Sequence, residues 1–492
     1  MVTRHRGAET VFALTFHRNM SLRILRNLNL ILIVAVLLAG CSLLPRQSAQ
    51  RIDSVIAGEM AKQRVPGLAV GVVQRGEVIR AAGFGLANVE HAVPVKNTTV
   101  FQSGSLAKQF TAVAVMLQVE DGKLALDDSI AQYLPEAPVT WQPITVRHLL
   151  THTSGIPNYD ESTLDYRKDY TEEELARVAF GRPLEFSAGS RWNYSDTGYM
   201  LLGAIVRKAS GQFYGDVLRD RVFAPLGMTT ARVISEEDIV INRASGYRLV
   251  GEALKNQEWV APKLNTTADG SLYLSLQDWL IWEQVLRKRA VLRTTSWEQV
   301  FAPVRLNSGK TYPYGLGWEF NDEGQGPAWY RHSGSWQGFH AAYLHAIDAD
   351  MSVIVLANLA DANPMRVAER VAQIFLPDLM RPLPLQPLEQ DPKLAQRVRG
   401  LLEATMAGSL NESEFEFLPA SFFPTTPAAY KTLLAGLGRV EHVELLDRQQ
   451  RGDDTILGFR AIVGSQPFLV NLSVTPAGRF SSYGLRLEGR SE

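Results

Sequence analysis

The chain has 492 residues, room for more than one domain, with 46% hydrophobic and 21% charged residues as in an ordinary globular protein. Formal net charge is −1, so no basic excess points to nucleic acid and no acidic excess to a solvated tail. The single cysteine excludes an intramolecular disulfide, and the sequence holds neither a phosphate loop nor a Cys/His cluster with zinc spacing.

In chain order the first feature is LILIVAVLLAG, an uncharged run that ends before Cys41 and follows Arg23 and Arg26. It is shorter than the about 20 residues needed to cross a bilayer and suits the core of a signal peptide. The stretch LLAGC resembles the lipobox of bacterial lipoproteins. That resemblance implies a leader over 1–41, lipidation at Cys41 and a lipid anchor in the cell envelope, on the outer membrane facing the periplasm if the cell is Gram-negative. Met20 is an alternative start. Residues 42–50, SLLPRQSAQ, read as a tether. A helix pattern over Ile52–Gln63 and two strand-like runs, GLAVGVV from Gly67 and EVIRAAGFG from Glu77, come next.

The segment SGSLAKQFTAVAVMLQVEDG, Ser103 to Gly122, reads as a helix with Gly122 as its stop. Apolar residues cover nearly every face, the mark of a buried helix, and Lys108 is the only charge between Leu106 and Val119. A buried lysine has to be paired, shifted in pKa or placed in a cleft. Ser105 begins the helix and Lys108 lies one turn later on the same face. The free N–H groups and positive potential of a helix start favour an alkoxide there and make the amine a better proton acceptor. Ser105 as a plain N-cap with Lys108 snorkelling is the bland reading.

Two further motifs follow in a helix-rich middle. In NYSDTGYMLLGAIV, the Tyr194 hydroxyl can relay a proton and Asp196 is expected to cap the next helix. In RHSGSWQGF, His332-Ser333-Gly334-Ser335 leads into a hairpin formed by FHAAYLHA and MSVIVLAN. A glycine-flanked strand edge admits a substrate carbonyl, and the N–H of Ser335 can join that of Ser105 as an oxyanion hole. A helix pattern covers 363–375. LPDLMRPLPLQPLEQDP, residues 376–392, is a proline-rich linker. Residues 393–492 read as two helices and four strands, a small α+β domain able to stand apart from the body.

Taken together, SLAK, YSD and HSG in this order, with VPGLAVGVV, LDDSIAQYLPE and ITVRHLLTHTSGIP, resemble the serine β-lactamase and penicillin-binding family in its class C-like branch. The resemblance covers about 52–375, within a hydrolase domain set at 51–375. It implies an α/β (α+β) fold, an antiparallel sheet built from both ends of the domain and flanked by helices, plus an all-α lobe, with the site between them. It implies Ser105 as acylated nucleophile, Lys108 as its base or hydrogen-bond partner, Tyr194 as proton relay, and no metal or cofactor. The substrate class is an ester or amide, including peptides that end in a D-residue.

Two positions depart from the family pattern. Asp196 stands where Y-x-N has an amide, and a carboxylate facing Lys108 favours the charged amine. His332 stands where K-T-G has a permanent cation for a substrate carboxylate. Both, with Gly334 and Ser335, are expected to support substrate binding. His152 reads as a loop brace, and Trp192, Trp336 and Tyr159 as cleft walls or packing. Two other classes remain open at this point: a sensor that acylates without turnover, and an interaction protein with a vestigial site. No oligomeric state is indicated.

Overall fold

The computed structural model describes residues 48–159, 163–233, 237–321, 327–379, 388, 391–418 and 422–488. Cys41, its leader and most of the 376–392 linker lie outside them. Among the described residues no helix is long and apolar enough to cross a membrane. Contacts divide the chain into Met1–Gly58 and Glu59–Glu492. The first unit is described from residue 48 and is helical from there, so the tether expected to reach 50 is no tether over its last three residues. Ala49 and Gln50 are good helix formers, and the Ser54 hydroxyl bonds back to the Gln50 carbonyl.

The second unit is built on a seven-stranded antiparallel sheet. Its strands are β1 (Gly67–Gln74), β2 (Glu77–Asn88), β3 (Val93–Pro94), β4 (Glu319–Phe320), β5 (Trp329–Trp336), β6 (Phe339–Ala346) and β7 (Met351–Ala357). Their order across the sheet is β4-β5-β6-β7-β1-β2-β3. Strands from the two ends of the domain therefore meet at its centre, where Leu68 pairs with Ala357 and Gln74 with Met351. Both strands read as continuous apolar runs because both faces are covered, and β7 is buried throughout.

Helix α1 (Lys108–Glu120) is buried at every residue from Lys108 to Gln118, with only Val119 and Glu120 partly exposed, as its all-round apolar sequence requires. It packs with α2 (Asp196–Ser210) and with Trp279 and Trp282 of α3 (Leu276–Lys288) in one large core. Behind α4 (Pro364–Ala372), α5 (Pro392–Ala407) and α6 (Phe422–Leu434) cover a separate four-stranded meander. Its strands are β8 (Val440–Arg451), β9 (Asp454–Val463), β10 (Gln466–Val474) and β11 (Phe480–Leu487), and it has its own core of Val398, Leu402, Phe459, Val470 and Leu472. The fold is β-lactamase/transpeptidase-like with a small C-terminal sheet domain.

This tail touches the body. The guanidinium of Arg191 donates two hydrogen bonds to Asp454, at 2.7 and 2.6 Å, and lies over the Phe417 ring. A cavity of about 520 Å³ opens beside the pair, between Phe186 and Tyr312 on one side and Ile456 on the other.

Candidate active site

Ser105 sits in a 3₁₀ turn, Gly104–Ala107, that leads into α1, rather than in the α-helix itself. Such turns are common at helix starts. Gly104 has φ +54°, a conformation that favours glycine, and packs its backbone against β5: a Cβ there would lie 2.5 Å from Ser335 N. Gly334 is the reciprocal contact, since a Cβ on it would lie 2.7 Å from Ser105 N. The backbones that carry the Ser105 and Ser335 nitrogens are thus pressed together by two glycines.

Lys108 is fully buried and gives its protons to three acceptors: Ser105 Oγ at 3.0 Å, Asp196 Oδ1 at 2.5 Å and the Asp269 carbonyl oxygen at 2.6 Å. It also lies over the rings of Tyr194 and Tyr199, at 5.1 and 5.3 Å. The lone lysine is therefore paired, and Asp196 does face it. Tyr194 is hydrogen-bonded to Ser105; burial, then the Asp196 charge, push its phenol well above the ordinary tyrosine pKa. Tyr194 is thus a neutral phenol in the resting site.

Asp196 does not cap α2, as the sequence suggested. Ser195 does: its Oγ accepts from Gly198 N at 3.2 Å. A residue one position later sits in the first turn, which leaves the Asp196 carboxylate free to turn toward Lys108. Asn158, which the sequence reading passed over, holds that carboxylate in place. Its Oδ1 accepts from Asp196 N at 2.7 Å and its Nδ2 donates to Asp196 Oδ2 at 3.2 Å.

His332 is placed differently from expectation. It is 3% exposed and is not a wall of the cleft. Strand alternation on β5 turns Tyr330, His332 and Gly334 to the buried face. Burial pushes its pKa below the ordinary histidine value, with Lys108 adding to the effect and Glu319 opposing it. Its partners fix its tautomer. Ser195 N–H donates to His152 Nδ1 at 3.1 Å, so His152 Nε2–H donates to the Tyr314 oxygen, also at 3.1 Å. Tyr314 O–H then donates to His332 Nε2 at 3.0 Å, and His332 Nδ1–H to the Ser333 carbonyl at 2.6 Å. Both histidines are neutral links in a chain, and no ring nitrogen of His332 is left for a substrate carboxylate. His152 braces the loop, with φ +57° and its ring 4.2 Å from that of Tyr194.

The cleft itself has a volume of about 100 Å³ and is walled by Ser105, Tyr159, Asp196, Asp269, Ser335 and Trp336, among others. Trp192 is not a wall; it stacks on Tyr312 at 4.2 Å beside the cavity at the tail. Asp269 is the other residue the sequence gave no sign of. Its side chain bonds the Tyr159 hydroxyl, and burial raises its carboxyl pKa. Among the described residues no group of His, Cys, Asp and Glu is arranged to hold a metal ion.

A family profile described as Beta-lactamase matches residues 52–375. The chain is 31% identical over 299 residues to penicillin-binding protein 4* of Bacillus subtilis (strain 168), a match spanning 58% of this chain and 66% of that protein. It is 27% identical to a D-aminopeptidase of Gluconobacter oxydans (strain 621H), spanning 65% and 61% of the two chains. The chain thus spans somewhat under two thirds of the length of these relatives. Among solved structures, the octameric penicillin-binding protein homologue from Pyrococcus abyssi aligns over 90% of this chain and 96% of its own, with TM-score 0.59 and 24% identity. The D-amino acid amidase from Ochrobactrum anthropi SV3 aligns over 67% and 99%, with TM-score 0.59 and 22% identity. At these identities the two structures speak for the fold alone.

Proposed function

The chain belongs to the beta-lactamase family, and from that premise we propose that it is a serine hydrolase that cleaves esters or amides through an acyl-enzyme on Ser105. The observation that carries the reading is the junction at Ser105 Oγ, where Lys108 Nζ stands 3.0 Å away and the Tyr194 hydroxyl is also bonded. Lys108 spends its protons on fixed acceptors, so it orients Ser105 and stabilises charge rather than taking the serine proton itself. Tyr194 is the relay. As Ser105 Oγ attacks the carbonyl carbon, its proton passes to the phenol oxygen while the phenol proton passes to the leaving atom. The C–X bond breaks, HX departs, and the acyl group stays on Ser105. Water enters by the reverse relay and releases the acid. The Ser105 and Ser335 N–H groups receive the oxyanion.

We further propose that Cys41 carries a lipid that holds the enzyme at the envelope membrane, on the evidence of the apolar core and LLAGC. Loss of palmitate incorporation in Cys41→Ala is the expected result; unchanged incorporation refutes it.

The test of the hydrolase reading is fluorophosphonate labelling with mass spectrometry, followed by turnover of an ester and D-peptide panel. Ser105→Ala should abolish labelling and lower turnover by several orders of magnitude. An adduct on any other residue, or an undiminished rate in Ser105→Ala, overturns it.

A further inference from the structure

The tail grips the body at the two segments that lead into the site. It does so with the turn between β8 and β9, Gly452–Asp454. Asp454 takes both hydrogen bonds of Arg191, and its Oδ2 also accepts from Ser481 Oγ on β11 at 2.7 Å, so the carboxylate is fixed from its own side. Gly452 N donates to the Thr311 carbonyl at 3.1 Å, and Asp453 pairs with Lys310 at 3.3 Å. Arg191 and Thr311 are the chain neighbours of Trp192 and Tyr312, which stack ring on ring with 9° between their planes. Two residues beyond that stack on each segment come Tyr194 and Tyr314. Tyr194 is bonded to Ser105, and Tyr314 is bonded to His152, whose ring lies against that of Tyr194. One turn of the tail therefore sets the relative position of both segments that flank the Tyr194 phenol.

Residues 191–195 belong to no helix or strand, so their position comes from what their side chains and backbone hold. Among the described residues the Arg191 guanidinium bonds only to the tail, with its face over Phe417. Phe417 keeps φ +61°, a conformation that a bulky side chain adopts only where its surroundings impose it. The Arg191 and Asp454 side chains are 17% and 11% exposed. A buried ion pair gives little stability that an apolar pair of similar size would not give, and what it supplies is one geometry. Close packing does not supply that geometry here, because the cavity of about 520 Å³ opens beside the pair. Resting on the hydrolase reading above, we propose that Arg191 and Asp454 are positioning residues for the Tyr194 hydroxyl, and that the tail is a working part of the active site rather than an appended domain. Neither residue walls the catalytic cleft. Their bonds hold the phenol where it can take the Ser105 proton and pass its own to the leaving atom. Without the ion pair, Ser105 keeps Lys108 and the oxyanion donors, and what is lost is the proton delivered to the leaving atom. The loss should therefore grow with the basicity of the leaving group.

The probes are p-nitrophenyl propionate, whose leaving group departs without a proton, and phenyl propionate, whose more basic leaving group needs one. For each ester kcat/KM reads acylation. Fluorophosphonate titration counts competent Ser105 in wild type, in Asp454→Ala and in Arg191→Met with Asp454→Leu. Asp454→Ala should lower kcat/KM for phenyl propionate by about 10- to 100-fold, the scale of a 1 Å misplacement, and for p-nitrophenyl propionate by a few-fold at most. The apolar pair should recover the thermal stability yet keep the widened gap between the two esters. In a Tyr194→Phe background, Asp454→Ala should widen the gap no further, because the hydroxyl it positions is already gone. An equal fall for both esters means that the ion pair serves the fold alone, and overturns the proposal. So does a wild-type ratio in the apolar pair, or further widening in Tyr194→Phe. If Asp454→Ala does not fold, the apolar pair decides. Each of these outcomes leaves the hydrolase reading standing, whereas a wild type that does not label at Ser105 overturns both.

Discussion

Replacing Gly334 with alanine should separate the two halves of the proposed oxyanion site. Its backbone has no positive φ, so alanine meets no conformational penalty at that position, and the whole effect comes from contact. The new Cβ would stand 2.7 Å from Ser105 N, and closer still to Ser103 O and Leu106 N. Every one of these atoms is backbone, so no side chain can swing aside. An unstrained carbon contact is about 3.5 Å, so β5 and the Ser105 turn would have to part by roughly 1 Å. Overpacking of that kind costs about 1–3 kcal/mol of stability. A 1 Å error between reacting groups can cost about 10²-fold in rate. The assay is the second-order rate of fluorophosphonate acylation, with thermal unfolding measured beside it. Gly400→Ala, in α5, is the control: its Cβ meets nothing within 4 Å, and it should leave acylation unchanged and stabilise the protein slightly. A natively folded Gly334→Ala protein that acylates within twofold of wild type would refute the argument that this glycine sets the spacing.

Acid should weaken the fold through buried histidines. Burial lowers the His345 pKa to about 4, so the unfolded chain takes up the proton first and stability is lost as pH falls from 6.5 toward 4; the shift corresponds to about 3 kcal/mol. Urea unfolding at pH 7 and pH 4.5 should show a smaller loss in His345→Gln than in wild type, by about 2 kcal/mol. Burial shifts His332 in the same direction and both its ring nitrogens are engaged by protein partners, so kcat/KM profiles for carboxylated and neutral substrates should superimpose between pH 7.5 and 6. A gain confined to the carboxylated substrate would restore the cationic role. Asp454→Ala leaves the half-buried Arg191 guanidinium unpaired, at a cost of about 3 kcal/mol, and should also slow acylation because Arg191 anchors the segment that ends at Tyr194. Arg191→Met with Asp454→Leu should recover the stability, and thermal unfolding of the three variants checks it.

What was legible in the sequence was whatever chemistry is local. Ser105 and Lys108 are one turn apart, so their spacing alone brings them together, and the strands of the sheet and of the tail carry their own apolar patterns. Asn158 and Asp269 were not legible. They lie in loops of ordinary composition, and their meaning comes from partners across the chain, such as Lys108 with Asp269, 161 positions apart. The capping residue of α2 was misread by one position because serine and aspartate are equally good caps. His332 was read by the company of its motif, whereas the alternation of WYRHSGSW carried the information that it faces inward. The separateness of the tail was read from its prolines, and a linker's composition says nothing of an arginine and an aspartate that meet elsewhere.

The meeting of β1 with β7 sets a timetable for biogenesis. Leu68 waits for Ala357, so at about 5–20 residues per second the partner of β1 leaves the ribosome roughly 15 to 60 s after β1 itself. Through that interval GLAVGVVQ, apolar and rich in valine, has β2 on one edge and nothing on the other. An open apolar edge of that kind recruits other chains. Closure of the central sheet is consequently a late, long-range event, and the edge of β1 stays open until residue 357 is there to cover it.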